Sequence, residues 1–199
     1  MAEKNFVRSM FDNIAPTYDK LNHILSLNID KIWRKKAVRR ICKNLKISKS
    51  ENLKKDSQIL KFSNSQVLDV ACGTADSTIA LAKAGVPHVT GVDISEGMIN
   101  VGKKKIESLQ LDNINLQVGD CENLDFENDT FDAAFIAFGI RNFEDKKKGM
   151  KELHRVLKEN GHLLILELSV PQNKILLSLY KLYFLHRTSK KLRLGIRIR

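Results

Sequence analysis

A parallel, doubly wound α/β sheet is the fold this sequence predicts, and three observations predict it. Short apolar runs alternate with helical patterns from Val67 to Leu168. One run, Phe131 to Phe138, is nearly continuously apolar, as a strand covered on both faces must be. A glycine turn follows the first run, and Asp93 closes the second run twenty residues after Gly73.

Taken in order, Val67 to Ala71 reads as the first strand and Ser77 to Lys83 as a helix. His88 to Ile94 is the second strand, followed by a helix through Met98, Val101 and Ile106. Ile114 to Val118 and Phe131 to Phe138 are the third and fourth strands. Glu144 to Lys158 places Met150, Leu153, Val156 and Leu157 on one helical side and ends before Gly161. His162 to Leu168 is a fifth strand. Upstream, Asp30 to Leu45 repeats Trp33, Ala37, Ile41 and Leu45 on one helical face, after a short mixed segment from Asp12 to Asn28 that contains Pro16. Lys46 to Gln66 is rich in Lys, Ser, Asn and Asp and reads as a linker. The expected organisation is therefore residues 1–66 as a helical lid and polar linker, 67–170 as the α/β domain, and 171–199 as an amphipathic helix with a basic tail.

A chain of 199 residues, 43% hydrophobic and 29% charged, suits one α/β domain. No apolar run reaches the roughly 18 residues of a membrane span, and the first residues carry no signal-peptide core. Three scattered cysteines without a CxxC pair indicate neither a disulfide framework nor a zinc site, so a cytoplasmic, reduced protein without a metal is expected. The net charge is +11, but Leu168 to Arg199 holds eight Lys/Arg and no Asp/Glu, which leaves +3 on the rest. The excess therefore points to an anionic partner for the tail rather than for the domain.

In doubly wound sheets the ligand lies beyond the carboxyl ends of the strands. The turn after the first strand reads Asp69-Val-Ala-Cys-Gly-Thr-Ala-Asp76. Gly73 lets backbone approach a ligand there, and Asp93 is placed to accept a hydrogen bond from a ribose hydroxyl. The dinucleotide pattern GxGxxG is missing, and Asp69 and Asp76 flank the turn. Two acids repel a pyrophosphate and attract a cofactor bearing an ammonium and a sulfonium, which describes S-adenosylmethionine. After the third strand, Asp120 can accept from an adenine amino group, and Met98 can lie against the ring.

The blocks FDNIAPTYDKLNHILSLNIDKIWR, VLDVACGTADSTI, GVDISEGMI, VGDCENLDFENDTFD and FGIRNFEDKKKGMKELHRVLKENGHLLILELS resemble the ubiquinone/menaquinone biosynthesis C-methyltransferases from Val7 to about Tyr183. The resemblance implies a class I, Rossmann-like S-adenosylmethionine-dependent fold. It also implies methylation of a ring carbon of a polyprenyl quinol, demethylmenaquinol or the equivalent ubiquinol precursor. Carried over by position, Thr74, Asp93 and the Asp120–Cys121 pair hold the cofactor. Ala75 stands where the family usually has glycine, and Ala137 where some relatives have serine. After about Leu185 the sequence HRTSKKLRLGIRIR departs from the family, so a truncated or frameshifted chain lacking the usual carboxyl-terminal antiparallel hairpin is expected. The rival reading is an inactive remnant that at most binds S-adenosylmethionine.

Methylating a quinol carbon requires a neighbouring hydroxyl to lose its proton and the phenolate to be stabilised. Arg141 and Asn142 follow the fourth strand at the mouth of the site, and Tyr18 lies in the family-specific block; these are the catalytic candidates. Arginine keeps its charge, so Arg141 suits phenolate stabilisation or clamping, against an ion pair with Glu144 or Asp145 as its competing role. His23 belongs to the residue type suited to base work near neutral pH. The chain carries no Asn-Pro-Pro-aromatic or Pro-Cys signature of nucleic-acid methylation, and no nucleic-acid partner is expected. Ile175, Leu176, Leu179, Leu182 and Tyr183 recur at helical spacing beside Lys174 and Lys181, so peripheral contact with an anionic membrane surface is expected of that helix.

Overall fold

In a computed structural model, residues 3–50 and 64–168 are described. Three helical pieces come first: α1 (Lys4–Ile14), a 3-10 turn (Ala15–Thr17) running into α2 (Tyr18–Ser26), and α3 (Ile29–Ser50). There follow β1 (Gln66–Val70), α4 (Asp76–Lys83), β2 (His88–Asp93), α5 (Glu96–Ser108), β3 (Ile114–Val118) and β4 (Phe131–Ala137). A second 3-10 turn (Ile140–Asn142), α6 (Lys146–Val156) and β5 (Leu157–Leu166) complete the order. The strands form one sheet in the order β3-β2-β1-β4-β5, each pair parallel, as the alternating pattern predicts. The order reverses between β1 and β4, which puts the switch point at the carboxyl ends of those strands.

Side-chain alternation assigns the two faces. Val67, Val89, Ala133 and Phe135 pack under α3 and α4, against Val38, Ile41, Leu45 and Leu81. Leu68, Val70, Ala134 and Ile136 point the other way, to Leu153 and Val156 of α6. Phe131 and Phe135 are both fully buried, which accounts for the apolar run of β4, interrupted only by Asp132. A third cluster joins Ile99 and Ile106 of α5 to Ile79 of α4 and Leu116 of β3. Residues Met1–Glu167 make one compact unit, and Leu168–Arg199 is a second, of which only Leu168 is described.

Several boundaries differ from the sequence reading. Lys4–Ile14 is a helix that sequence reading did not assign; its signal was the spacing of Val7, Phe11 and Ile14. The segment from Asp12 to Asn28 is helical except at its turns, because Pro16 sits in the 3-10 piece, where its fixed φ is tolerated. α3 continues past Leu45 to Ser50, since neither glycine nor proline interrupts Lys46–Ser50. α6 starts at Lys146, not Glu144, because the Asp145 carboxylate caps it by accepting from the N–H groups of Lys147 and Lys148 at 2.9 and 3.0 Å. It ends at Val156, and β5 begins at Leu157 rather than His162, with a register shift opposite Phe131 and Ala133. The tail and the amphipathic helix expected from Ile175 to Leu185 lie outside the described residues. Among the described residues, no helix is long and apolar enough to cross a membrane.

Candidate functional site

At the switch point the carboxyl ends of β1, β2, β3 and β4 open into a cleft of about 690 Å³, counted out to its open mouth. Gly73, Asp93, Met98, Asp120, Cys121 and Asn142 line it together with Lys4, Val7, Phe11, Tyr18, Phe138 and Glu122. Most of the residues singled out from sequence therefore meet in one place. Thr74 and Arg141 do not line it.

The β1 turn is built from residues in the left-handed region. Ala71, Gly73 and Ala75 have φ of 54°, 56° and 67°. Ala75 thus adopts the conformation that glycine would take at lower cost, and its buried methyl approaches Gly102 of α5. Only Tyr18 stands near the missing Cβ of Gly73, at 3.9 Å, so backbone there is open to a ligand.

Asp93 is anchored by main chain. One carboxylate oxygen accepts from the N–H of Gly73 at 2.8 Å and the other from that of Ser95 at 2.9 Å. Burial raises its pKa, and these hydrogen bonds oppose the rise. Each oxygen retains lone-pair capacity for a ribose hydroxyl. Ser95 caps α5 by accepting from the Met98 N–H at 3.1 Å, which holds the buried Met98 against the cleft.

At the β3 end, Asp120 accepts from Lys4 Nζ at 2.7 Å and from the Glu122 N–H at 2.9 Å. Glu122 accepts from Lys4 at 3.1 Å and, through its other oxygen, from the N–H groups of Glu144 and Asp145 at 2.8 and 3.0 Å. It thereby fixes the β4–α6 loop that carries Asn142 and Phe143. The bond to Asp120 holds Lys4 firmly protonated. Cys121 is pushed up to about 12, chiefly by burial, so its thiol is inert as a nucleophile and can serve only as a soft contact. Lys4 and Glu122 escaped the sequence reading. Glu122, three residues past Gly119 in the loop after β3, was in principle findable; Lys4 was not.

Tyr18 packs edge-on against Phe11, with ring centroids 5.9 Å apart, and burial raises its pKa while its hydroxyl bonds Asn22. It is therefore a hydrogen-bond donor at neutral pH, not a base. Thr74 turns away from the cleft, giving its hydroxyl to Asp19. That carboxylate also takes Lys105 at 2.9 Å, and Lys105 pairs with Asp76. Arg34 bonds Asp76 at 3.2 Å, and His23 bonds Asp30 at 3.0 Å, so the base candidate His23 is spent on holding α2, α3 and α4 together. Asp12 completes the attachment of α1 by accepting from Ser95 Oγ at 2.6 Å and from the Gly97 N–H at 2.9 Å. A side chain at Gly97 would crowd this attachment, since a Cβ would sit 3.1 Å from the Asp12 backbone. Arg141 is half exposed and bonds Glu167 at 3.0 Å, rather than Glu144 or Asp145.

Behind the turn, Asp69 is fully buried. One oxygen accepts from Thr78 at 2.6 Å, the other has no partner, and burial pushes its pKa up to about 7. The cleft lining thus sets Lys4 against the acids Asp93, Asp120, Glu122 and Glu144. That balance disfavours a phosphate and fits a phosphate-free nucleoside that carries positive charge.

A parallel Rossmann-like sheet with such a cleft is the fold of a class I S-adenosylmethionine-dependent methyltransferase. The chain belongs to the ubiE/COQ5 methyltransferase family, whose sequence profile matches residues 1–190. It is 43% identical over 179 residues to a demethylmenaquinone methyltransferase of Bacteroides fragilis, covering 89% of this chain and 66% of that protein. It is 41% identical over 184 residues to a ubiquinone/menaquinone biosynthesis C-methyltransferase UbiE of Geotalea daltonii, covering 90% of this chain and 70% of that one. Among solved structures, it is similar to a SAM dependent methyltransferase from Aquifex aeolicus, with a TM-score of 0.52 and 26% identity over 55% of this chain and 60% of the other. The chain spans about two thirds of the length of these curated relatives.

Proposed function

We propose that the chain transfers a methyl group from S-adenosylmethionine to a ring carbon of a polyprenyl quinol. Demethylmenaquinol is the favoured acceptor, because the Bacteroides fragilis relative carries that name; the equivalent ubiquinol precursor is the second choice, after the Geotalea daltonii one. The observation that carries methyl transfer is the Asp93 carboxylate, buried and main-chain-anchored at the end of β2 in a cleft otherwise rich in acids.

S-adenosylmethionine would supply an electrophilic methyl on a sulfonium. Asp93 holds the ribose, Asp120 accepts from the adenine amino group, Met98 and Cys121 lie against the ring, and the Gly73 turn admits the amino-acid end. α1 and the start of α2 serve as the lid: Val7, Phe11 and Tyr18 close the cleft from outside and exclude water. Ala137, Phe138 and Phe143 give the acceptor ring an apolar floor, and Asn142 and the protonated Tyr18 can each donate to a quinol oxygen. Arg141 stands beyond the lining and reaches a phenolate only by leaving Glu167. Orientation of a near-attack pair is worth up to roughly 7–11 kcal/mol, so positioning supplies much of the acceleration. Because a polyprenyl acceptor partitions into the bilayer, the reaction takes place at the cytoplasmic face of a membrane to which the protein attaches peripherally.

Titration calorimetry with S-adenosylhomocysteine tests the cofactor half, with clear heat expected. A demethylmenaquinol assay tests the acceptor. Absence of heat from a folded, monodisperse sample would reject the site; heat without methylation of either quinol would reject the acceptor.

A further inference from the structure

We propose that the corner where α2 meets α3 is the surface that docks on an anionic lipid bilayer. It presents four large apolar side chains to solvent: Leu27, Ile29, Ile32 and Trp33 are 53%, 39%, 55% and 37% exposed. Leu27 stands at the tip in the left-handed region, with φ of 55°, a conformation that a branched side chain normally avoids. A contiguous exposed apolar corner rimmed by charge marks an interaction surface.

The charge around it selects the partner. Along α3, Ile29, Ile32, Trp33 and Lys36 follow one another at helical spacing on one outward stripe. Lys31, Lys35, Arg39 and Arg40 are exposed beside or behind it, and Lys20 is exposed on α2. The single acid between Lys20 and Lys43, Asp30, is buried and bonded to Ser26, His23 and Arg34. Every exposed ionic side chain from Lys20 to Lys43 is therefore cationic. At 1.5 Å per residue, Lys36 lies about 10 Å along the helix from Ile29. That offset places an apolar tip in the acyl boundary while the cations meet lipid phosphates, and tryptophan is suited to the level between them.

The corner is continuous with the cleft. The Trp33 ring packs on Phe138, with centroids 6.4 Å apart, and Phe138 lines the cleft beside Gly139 and Asn142. A lipid tail held against Trp33 would therefore lie beside the wall of the cleft. The proposal deepens the polyprenyl-acceptor reading by naming where the bilayer is met, yet its test needs no methyl transfer.

Trp33 is the only tryptophan of the chain, so its emission reports on this corner alone. The full chain is mixed with vesicles of phosphatidylcholine, pure or with three parts phosphatidylglycerol to seven, with and without brominated acyl chains. On anionic vesicles we expect a blue shift of Trp33, quenching by the brominated lipid, and at least about tenfold tighter binding than on neutral ones. Leu27→Asp with Ile32→Asp should weaken binding about tenfold or more. Lys31→Glu, Lys35→Glu and Lys36→Glu together should weaken it roughly a hundredfold. Both variants should keep the parent's circular dichroism and its affinity for S-adenosylhomocysteine. Vesicle binding with Trp33 emission unmoved, or variants binding within about twofold of the parent, would overturn the proposal. So would a Trp33 shift produced by a duplex oligonucleotide in preference to vesicles, or an Ile32→Asp exchange that turns a dimer into a monomer. Failure of the methylation assay alone would leave these outcomes unaffected.

Discussion

At the end of β2 the Asp93 carboxylate takes two main-chain N–H groups, at 2.8 and 2.9 Å, whereas at the end of β4 Arg141 is held by one side-chain bond to Glu167 at 3.0 Å. Asp93 is buried and Arg141 half exposed. Asp93, the ribose acceptor on the proposed reading, is thus fixed by main chain at the ends of the sheet and is in place whenever those turns are. If Arg141 serves the acceptor as proposed, it must first leave Glu167. Binding strength and reaction rate should therefore respond to different residues.

The sharpest way to break that comparison is Asp93→Ala. It removes a ribose acceptor and strands two buried N–H donors, so affinity for S-adenosylhomocysteine should fall by about 1.5–3 kcal/mol and stability by about 2–4 kcal/mol. Calorimetry and urea unfolding measure the two losses. Unchanged affinity would remove Asp93 from the site.

Next in size is the pH dependence set by Asp69. Its pKa is about 7 against an ordinary 3.8, so the folded form holds this proton more tightly than the unfolded one. Its contribution to stability is then complete below about pH 4 and is lost as the pH rises to about 7. Asp69→Asn should remove that loss, on the order of 1–3 kcal/mol, so that melting temperatures at pH 5 and pH 7.5 lie closer together than in the parent. Parallel pH profiles would show that another group carries the slope.

At the acceptor end, Arg141→Ala should change stability by less than about 0.5 kcal/mol, as expected of an exposed ion pair. Affinity for S-adenosylhomocysteine should stay within about twofold, while turnover on a quinol drops at least about tenfold. Equal loss of binding and turnover would make the two ends alike. The smallest effect belongs to Lys4→Ala. Lys4 occupies the carboxylate that an adenine amino group would use, so its removal should raise affinity about two- to fivefold in low salt, with parent and variant converging in high salt. Weaker binding would instead make Lys4 part of the adenine site.

The same contrast explains what could be read from sequence. Asp93 was legible because strand, glycine turn, helix and strand place an acid at a spacing set by the fold, and β4 because it is buried on both faces. The direction of Thr74 was not legible, since it is set by Asp19, 55 residues away in the chain. The partner of Arg141 was sought among neighbouring acids, but the sheet brings Glu167 alongside from the end of the next strand. β5 was placed late because Gly161 looks like the helix stop, whereas the strand begins before it and absorbs the glycine in an irregular stretch. α1 carries helical apolar spacing at Val7, Met10, Phe11 and Ile14, but no side-chain cap marks its start, and it is held by Asp12 and Lys4, whose partners lie far along the chain.

The bond between Lys4 and Asp120 spans 116 residues. At a translation rate of roughly 5–20 residues per second, a helix made at the outset waits about 6–23 seconds for its partner to leave the ribosome. During that interval Val7 and Phe11 have no sheet to rest on. The nascent chain consequently carries the exposed apolar face of α1 for a time without the sheet ends that would meet it, since the covering helix exists before anything it could cover. Ligand cannot assist folding until β3 and the loop behind it have emerged, which makes this half-built stage the one most in need of a chaperone.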